Sequence, residues 1–346
     1  MPAKKSQPIA IVAAERGPLG IRLVAIDEHG DRRFELVVPG TANEVVRDSH
    51  PAVSPDGRWV VFASTRGRKD GTSLWIAPLT GAPQATPRRI TPDGAVDQHP
   101  MWSADGQAIV FASTRDGGDF DLWRVAIDAH GQPGGATQLT SGAGHEITPT
   151  FGPVNTIVYT AVTVVGTEGS VSSRLEERAA DGAIRAITAG PADGSPAISP
   201  DGATLIFVRP AMHLDQPQAE LWKIERGAWR STGDDVVATR LLTLPITDES
   251  GPVWSRDGRF VFATSVLRGH AGKPLFSSII HVDLRESTPR ARMLVDRAGA
   301  TVRLSPAIRS ERLDVAALHA DPEYLSELAR IVAAAIAEQT SDQPAP

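Results

Sequence analysis

Cysteine is absent from all 346 residues, which excludes disulfides, thiolate metal sites and thiol nucleophiles. No apolar run approaches the ~20 residues a helix needs to cross a bilayer, so no membrane span is expected. Lysine is scarce, five of the 35 basic residues, and the net charge of −6 comes without a long basic stretch. That balance argues against a sequence-independent nucleic-acid binder. Three enzymatic signatures are also missing: a Gly-x-Ser-x-Gly elbow, a phosphate loop and a His-Glu-x-x-His pair. The opening "MPAKKSQPIAIVAAERG" carries charge but no export cleavage pattern. From it a cytoplasmic protein is expected, with a periplasmic or secreted one as the alternative if a leader was trimmed.

What the chain does have is repetition. "HPAVSPDGRWVVFASTR" at 50–66 returns as "HPMWSADGQAIVFASTR" at 99–115. "SPAISPDGATLIFVR" at 195–209 and "SGPVWSRDGRFVFATS" at 250–265 are further copies, and "TPTFGPVNTIVYTA" at 148–161 is a worn one. With Gly57, Gly106, Asn155, Gly202 and Gly258 taken as equivalent, the five repeats follow at steps of 49, 49, 47 and 56 residues. A period of this size marks units that cannot bury their apolar surface alone.

Ser54-Pro55-Asp56-Gly57 places Pro, Asp and Gly where a type I hairpin turn requires them. After each turn comes an unalternating apolar run, "WVVFA", "AIVFA", "TIVYTA", "TLIFV" or "FVFAT". Such runs indicate strands covered on both faces. A third strand reads "SLWIAPL", "DLWRVAI" or "ELWKIE", and a short fourth reads "RRIT", "TQLT", "RAIT" or "RLLTL". Four antiparallel strands covered by like neighbours describe a β-propeller blade. The N-terminal stretch at 9–38 supplies later strands without a first one, and "TVRLSPAI" at 301–308 supplies a first strand. An all-β, six-bladed propeller of four-stranded antiparallel blades, closed by both termini, is therefore expected, with "RLDVAALH" leaving room for a seventh closure.

The domain plan that follows is a disordered start over 1–8, the propeller over 9–320, a C-terminal helix over 321–339 and a disordered tail over 340–346. Asp321 and Pro322 suit a helix start, and Leu325, Leu328, Val332 and Ala335 share one face. That stripe is expected to pack on the outer wall or to dock a partner or a second copy.

The pattern of Asp, two residues, Pro, two residues, Ser-Pro-Asp-Gly, apolar strand, Ser-Thr-Arg and then Leu-Trp resembles the TolB-like, WD-repeat-like propeller repeat, over residues 9 to about 310. The resemblance implies the propeller fold. The family's namesake is a periplasmic binding protein of a cell-envelope complex, and related repeats precede hydrolase domains in some peptidases. This chain carries neither the α/β domain preceding the propeller of the namesake nor space after residue 310 for a hydrolase domain, so peptidase activity is not expected.

Three residues before each first-strand proline stand Asp48, Asp97, Glu146, Asp193 and Glu249, with Arg303 in the closing blade. Convergent carboxylates repel one another until a cation relieves them, so this ring is a candidate socket for a divalent cation such as calcium or for a basic side chain of a partner. The alternative is structural, since Asp side chains organise loops by binding backbone N–H groups. His50 and His99 match in register, with Gln98 and His145 nearby, as a candidate metal set. Some propeller lyases acting on pectin fragments resemble this repeat and use channel histidines with a metal. The reading is a non-catalytic propeller that binds a protein or peptide at an acidic mouth and requires no cofactor. The alternatives are a metal-dependent polysaccharide lyase or hydrolase, and a scaffold tethered by its C-terminal helix.

Overall fold

In the computed structural model, each repeat opens on the turn its residues encode. Gly57 N–H donates to the Ser54 carbonyl at 2.8 Å, and Gly57 sits at φ 69°, a left-handed conformation that glycine adopts without strain. Ser54 Oγ donates to Asp56 Oδ1 at 2.6 Å and accepts from the Trp59 N–H at 2.9 Å. Ser103, Ser199 and Ser255 repeat both bonds. In the worn third repeat Asn155 takes the left-handed conformation at φ 58°.

The structure describes residues 9–308 apart from 18–19, 28–31, 39–44, 69, 81–82, 166–169, 191, 214–215, 230–236, 245–250, 269–273, 287–288, 290 and 294–301. Before the first repeat come β1 (Ile11–Gly17), β2 (Gly20–Ile26) and β3 (Arg32–Glu35). Repeat one forms β4 (Val46–Val53), β5 (Trp59–Ser64), β6 (Ser73–Pro78) and β7 (Arg88–Arg89). Repeat two forms β8 (Asp97–Trp102), β9 (Ala108–Ser113), β10 (Asp121–Ile127) and β11 (Pro133–Gln138). Repeat three forms β12 (His145–Phe151), β13 (Ile157–Val165), β14 (Ser170–Arg178) and β15 (Ile184–Ala186). Repeat four forms β16 (Gly194–Ile198), β17 (Thr204–His213), β18 (Gln216–Glu225) and β19 (Thr239–Leu244). Repeat five forms β20 (Val253–Trp254), β21 (Phe260–Arg268), β22 (Pro274–Asp283) and β23 (Ala291–Met293), and β24 (Val302–Ile308) follows.

Repeats two to five are four separate four-stranded antiparallel sheets. The strands of repeat one instead merge with β24, β1, β2 and β3 into one eight-stranded sheet. This corrects the expectation of six separate blades plus a helix: the described chain is an all-β propeller with four stand-alone blades. The cause is a parallel junction in which Gly20 pairs with Val46 and Ile21 with Arg47. Gly20 lies at φ 113°, and a Cβ there would fall 2.1 Å from the Val46 carbonyl oxygen, so only glycine lets β4 approach β2. The first strands touch their neighbours in the order β24, β4, β8, β12, β16, β20 and back to β24. Among the described residues the longest helix is Arg226–Trp229, four residues. The helix expected over 321–339, with the partner or second copy it was to dock, lies outside the described residues. No helix within them can take that role.

The core sits between sheets rather than inside any one of them. Val61, Ala63, Leu74 and Ile76 of repeat one meet Ile109, Phe111 and Val125 of repeat two, and equivalent clusters fill the later junctions. Phe62, Phe111, Phe207, Phe260 and Phe262 are fully buried, each worth about 1.5–3 kcal/mol of burial. The sheets are also bonded to one another. Trp102 Nε1 donates to the Ala52 carbonyl and Trp254 Nε1 to the Ala197 carbonyl, both at 3.1 Å.

Candidate functional site at the mouth of the ring

The first strands of repeats one to four are kinked at the same place. The pairing register slips between Ser49 and Ala52, Gln98 and Met101, Ile147 and Thr150, and Gly194 and Ala197. At these slips His50, His99, Thr148 and Ser195 take φ of 48°, 52°, 49° and 53°, and each precedes a proline. Left-handed non-glycine residues are rare, and repeated bulges re-aim side chains at a rim. The X-Pro of these four copies was the sequence signal for this bulge, and it was not read as one.

The bulges bring neighbouring repeats into contact. The His50 and His99 rings lie 4.2 Å apart between centroids, tilted by 50°. Thr160 Oγ1 bonds Thr148 Oγ1 at 2.7 Å and accepts from the Ser195 N–H at 3.0 Å. Burial, and after it the charge of His50, holds His99 well below the usual imidazole range.

Two residues before the bulges stand the predicted acids. Asp48, Asp97 and Asp193 are wholly buried, and each is bound by an arginine of its own repeat. Arg66 gives Nε to Asp48 Oδ1 at 3.1 Å and Nη2 to Oδ2 at 2.5 Å, while Ser64 Oγ donates to Oδ1 at 2.6 Å. Arg115 Nη2 reaches Asp97 Oδ1 at 2.9 Å. Arg209 takes both oxygens of Asp193, at 2.6 and 2.9 Å. Arg115 and Arg209 also lie over Trp123 and Trp222, 4.9 and 4.6 Å from the ring centroids. In repeats two and four the tryptophan of the Leu-Trp strand thus backs the arginine that holds the acid. Burial pushes the Asp48 carboxyl above its ordinary range in spite of Arg66.

Repeat three differs. Glu146 pairs across the strand with Ala161, and Thr163 stands where repeat two has Arg115. Among the described residues no basic side chain pairs with Glu146. It accepts from Thr140 Oγ1 at 3.0 Å, and the Asp121 carboxyl is near enough to act on it. Burial, reinforced by Asp121 and Glu176, pushes the Glu146 carboxyl up to about 7. Glu249 lies outside the described residues. Arg303 is placed only by its backbone, opposite Glu15.

Of the candidate metal set, the structure brings His50 and His99 together. His145 Nδ1 instead accepts from the Phe120 N–H at 3.1 Å. Among the described residues no group of three or more His, Asp or Glu is arranged to hold a metal ion.

A second feature of this face was not anticipated from sequence. In repeats one and two the hairpin of second and third strands stops level with the acid, at Ser64↔Ser73 and Ser113↔Asp121. In repeat three the first strand ends against Val162, yet the hairpin continues to Val165↔Ser170. Repeat four runs from Val208 on to His213↔Gln216, and repeat five from Phe262 on to Arg268↔Pro274. Three consecutive hairpins therefore rise past the first strands on the side of the acids. At the tip of the first, Val164 and Val171 pair across the strands and are 63% and 65% exposed.

A family model described as the TolB beta propeller domain matches residues 12–225. No curated protein matches the chain. Among solved structures, TolB from Acinetobacter baumannii superposes with a TM-score of 0.62 at 14% identity, over 86% of this chain and 66% of that one. Hydrazine synthase from Kuenenia stuttgartiensis superposes with a TM-score of 0.58 at 14% identity, over 88% of this chain and 48% of that one. The chain spans less than two thirds of either relative, and at this identity the likeness is one of fold. The family match overturns the expectation of a cytoplasmic protein, because it groups the chain with a family whose namesake is periplasmic.

Proposed function

The chain belongs to the TolB beta propeller domain family, and from that premise we propose that it binds a protein partner, without catalysis, at the mouth carrying the first-strand acids. The observation that carries this reading is the asymmetric wall of hairpins from repeats three to five, which overhangs one side of the mouth and presents the Val164 and Val171 pair to solvent. Exposed apolar side chains on projecting strands beside a polar rim have the make-up of a protein contact. Among the described acids of the ring, Glu146 is the one that no arginine of its own repeat holds, and it is nearly buried. Asp48, Asp97 and Asp193 are occupied by arginines of their own repeats.

Site-specific photocrosslinking tests this. A photoreactive residue at Val164 or Val171 is expected to give one discrete adduct in the native host, and the same residue at Ile184, on the outer strand β15, to give none. Identical adducts from all three positions, or none from the hairpin, would overturn the reading.

A further inference from the structure

On the opposite face, where the Ser-x-Asp-Gly turns lie, we infer that the groove between repeats one and two binds an extended basic segment of a partner protein. The groove has a volume of about 860 Å³. Pro55, Trp59, Trp102 and Pro133 line it together with Asp56, Asp105, Asp128 and a single base, Arg58. It is rigid. Trp102 is fixed to the Ala52 carbonyl, and Arg88 of β7 reaches across to the His130 carbonyl at 3.0 Å while lying over Trp59.

Arg58 is committed to Asp56 at 2.5 Å. Among the described residues no basic side chain lies within ion-pair distance of Asp105 or Asp128, although Arg124 acts on the first and His130 and Arg88 act on the second from farther off. Both turn one carboxylate oxygen inward onto backbone N–H groups, Asp105 Oδ1 to Gln107 and Asp128 Oδ1 to His130 and Gln132. The second oxygen of each is free to meet a cation. The groove therefore offers two fixed anionic ends beside apolar walls, which suits the alternating stem and charge of arginine or lysine side chains.

The chain contains its own control. Repeats four and five enclose the equivalent groove, of about 600 Å³, between Pro200 and Gly258. There four carboxylates are matched by four basic side chains. Shape is repeated while net charge is not, so of these two grooves the first should attract a polycation.

The probe is a fluorescein-labelled tetra-arginine amide, followed by anisotropy on the whole chain. Asp105→Asn with Asp128→Asn retains the turn-capping oxygens and should weaken binding at least tenfold. Gly134→Phe leaves the charge unchanged and fills the groove; its Cβ would meet Ala126 Cβ at 3.5 Å, an ordinary contact. It should weaken binding similarly. Asp257→Asn, in the groove of repeats four and five, should leave binding unchanged. The mouth is tested separately at Val164 and Val171, so the two tests fail independently. No binding by the wild type, or equal binding by the wild type and either groove variant, would overturn the proposal.

Discussion

Arg66 closes over Asp48 as a fork, with both side chains nearly removed from solvent at 6% and 0% exposure, and its third nitrogen bonds the Val38 carbonyl at 2.6 Å. One side chain thus ties β5 to β4 and to the strand region before them. Breaking a buried pair from one side leaves an uncompensated charge, which costs more than the pair contributes. Arg66→Ala is expected to destabilise the fold by about 3–5 kcal/mol. Urea denaturation should show the double variant Asp48→Ala with Arg66→Ala to be less damaging than the sum of the singles. Simple additivity would show that the two residues act independently.

Glu146 makes stability depend on pH. Its carboxyl keeps a proton in the folded chain up to about 7, while the unfolded chain releases it near the ordinary value of ~4.3. Between those values the folded state binds more protons at this site, so the stability that Glu146 contributes is full below about 4.3 and is lost as pH rises toward 7. Glu146→Gln should remove this slope. Thermal melting between pH 5 and 8 reads it directly, and an unchanged slope in the variant would assign the effect elsewhere.

His99 gives the opposite slope. Its folded-state value lies well below that of the unfolded imidazole, so below about 6.5 the unfolded chain takes up a proton that the folded chain refuses. Stability contributed by neutral His99 is therefore present at high pH and lost as pH falls. In the wild type this loss partly hides the effect of Glu146 over the shared window. His99→Gln should steepen the remaining decline with rising pH, and NMR titration should show the His99 ring still neutral at pH 6.

The turns, the apolar second strands and the order of strands in each repeat were legible because each rests on local chemistry: Asp and Gly at fixed turn positions, and unbroken runs such as "WVVFA". The acids were legible as a set, yet their state was not. Whether Asp48 is open or consumed depends on Arg66, eighteen residues away, folding back along the neighbouring strand. The merger of repeat one with the N-terminal strands turns on Gly20, which reads as an ordinary turn residue until Val46 is seen against it. The hairpin wall was hidden for another reason. Strand length beyond the sheet is set by residues such as Thr163 and Ser172 that carry no strong turn signal.

Trp102 holds two sheets together through its indole N–H. Phenylalanine would keep most of the apolar contact with Val61 and Ile76 but leave the Ala52 carbonyl without its donor. Trp102→Phe is expected to cost about 1–3 kcal/mol, the range for orphaning a buried partner, and Trp254→Phe a similar amount at Ala197. Chemical denaturation of the two single variants and the double tests it. The sites belong to different junctions, so their effects should add.

Gly20 is the sharpest steric test of the eight-stranded sheet. Alanine at this position would drive its methyl onto the Val46 carbonyl oxygen and require φ near 113°, which side chains rarely adopt. Either β4 must withdraw from β2, breaking the pairs at Val46 and Arg47, or the backbone must strain. Gly20→Ala should therefore destabilise the chain by more than ~1 kcal/mol and expose the amides of the junction to hydrogen exchange before those of repeats two to five. By contrast, Gly117 has nothing within 4 Å of its would-be Cβ and no left-handed φ, so Gly117→Ala should be neutral. Equal behaviour of the two variants would mean that the close approach of β4 to β2 does not hold the sheet.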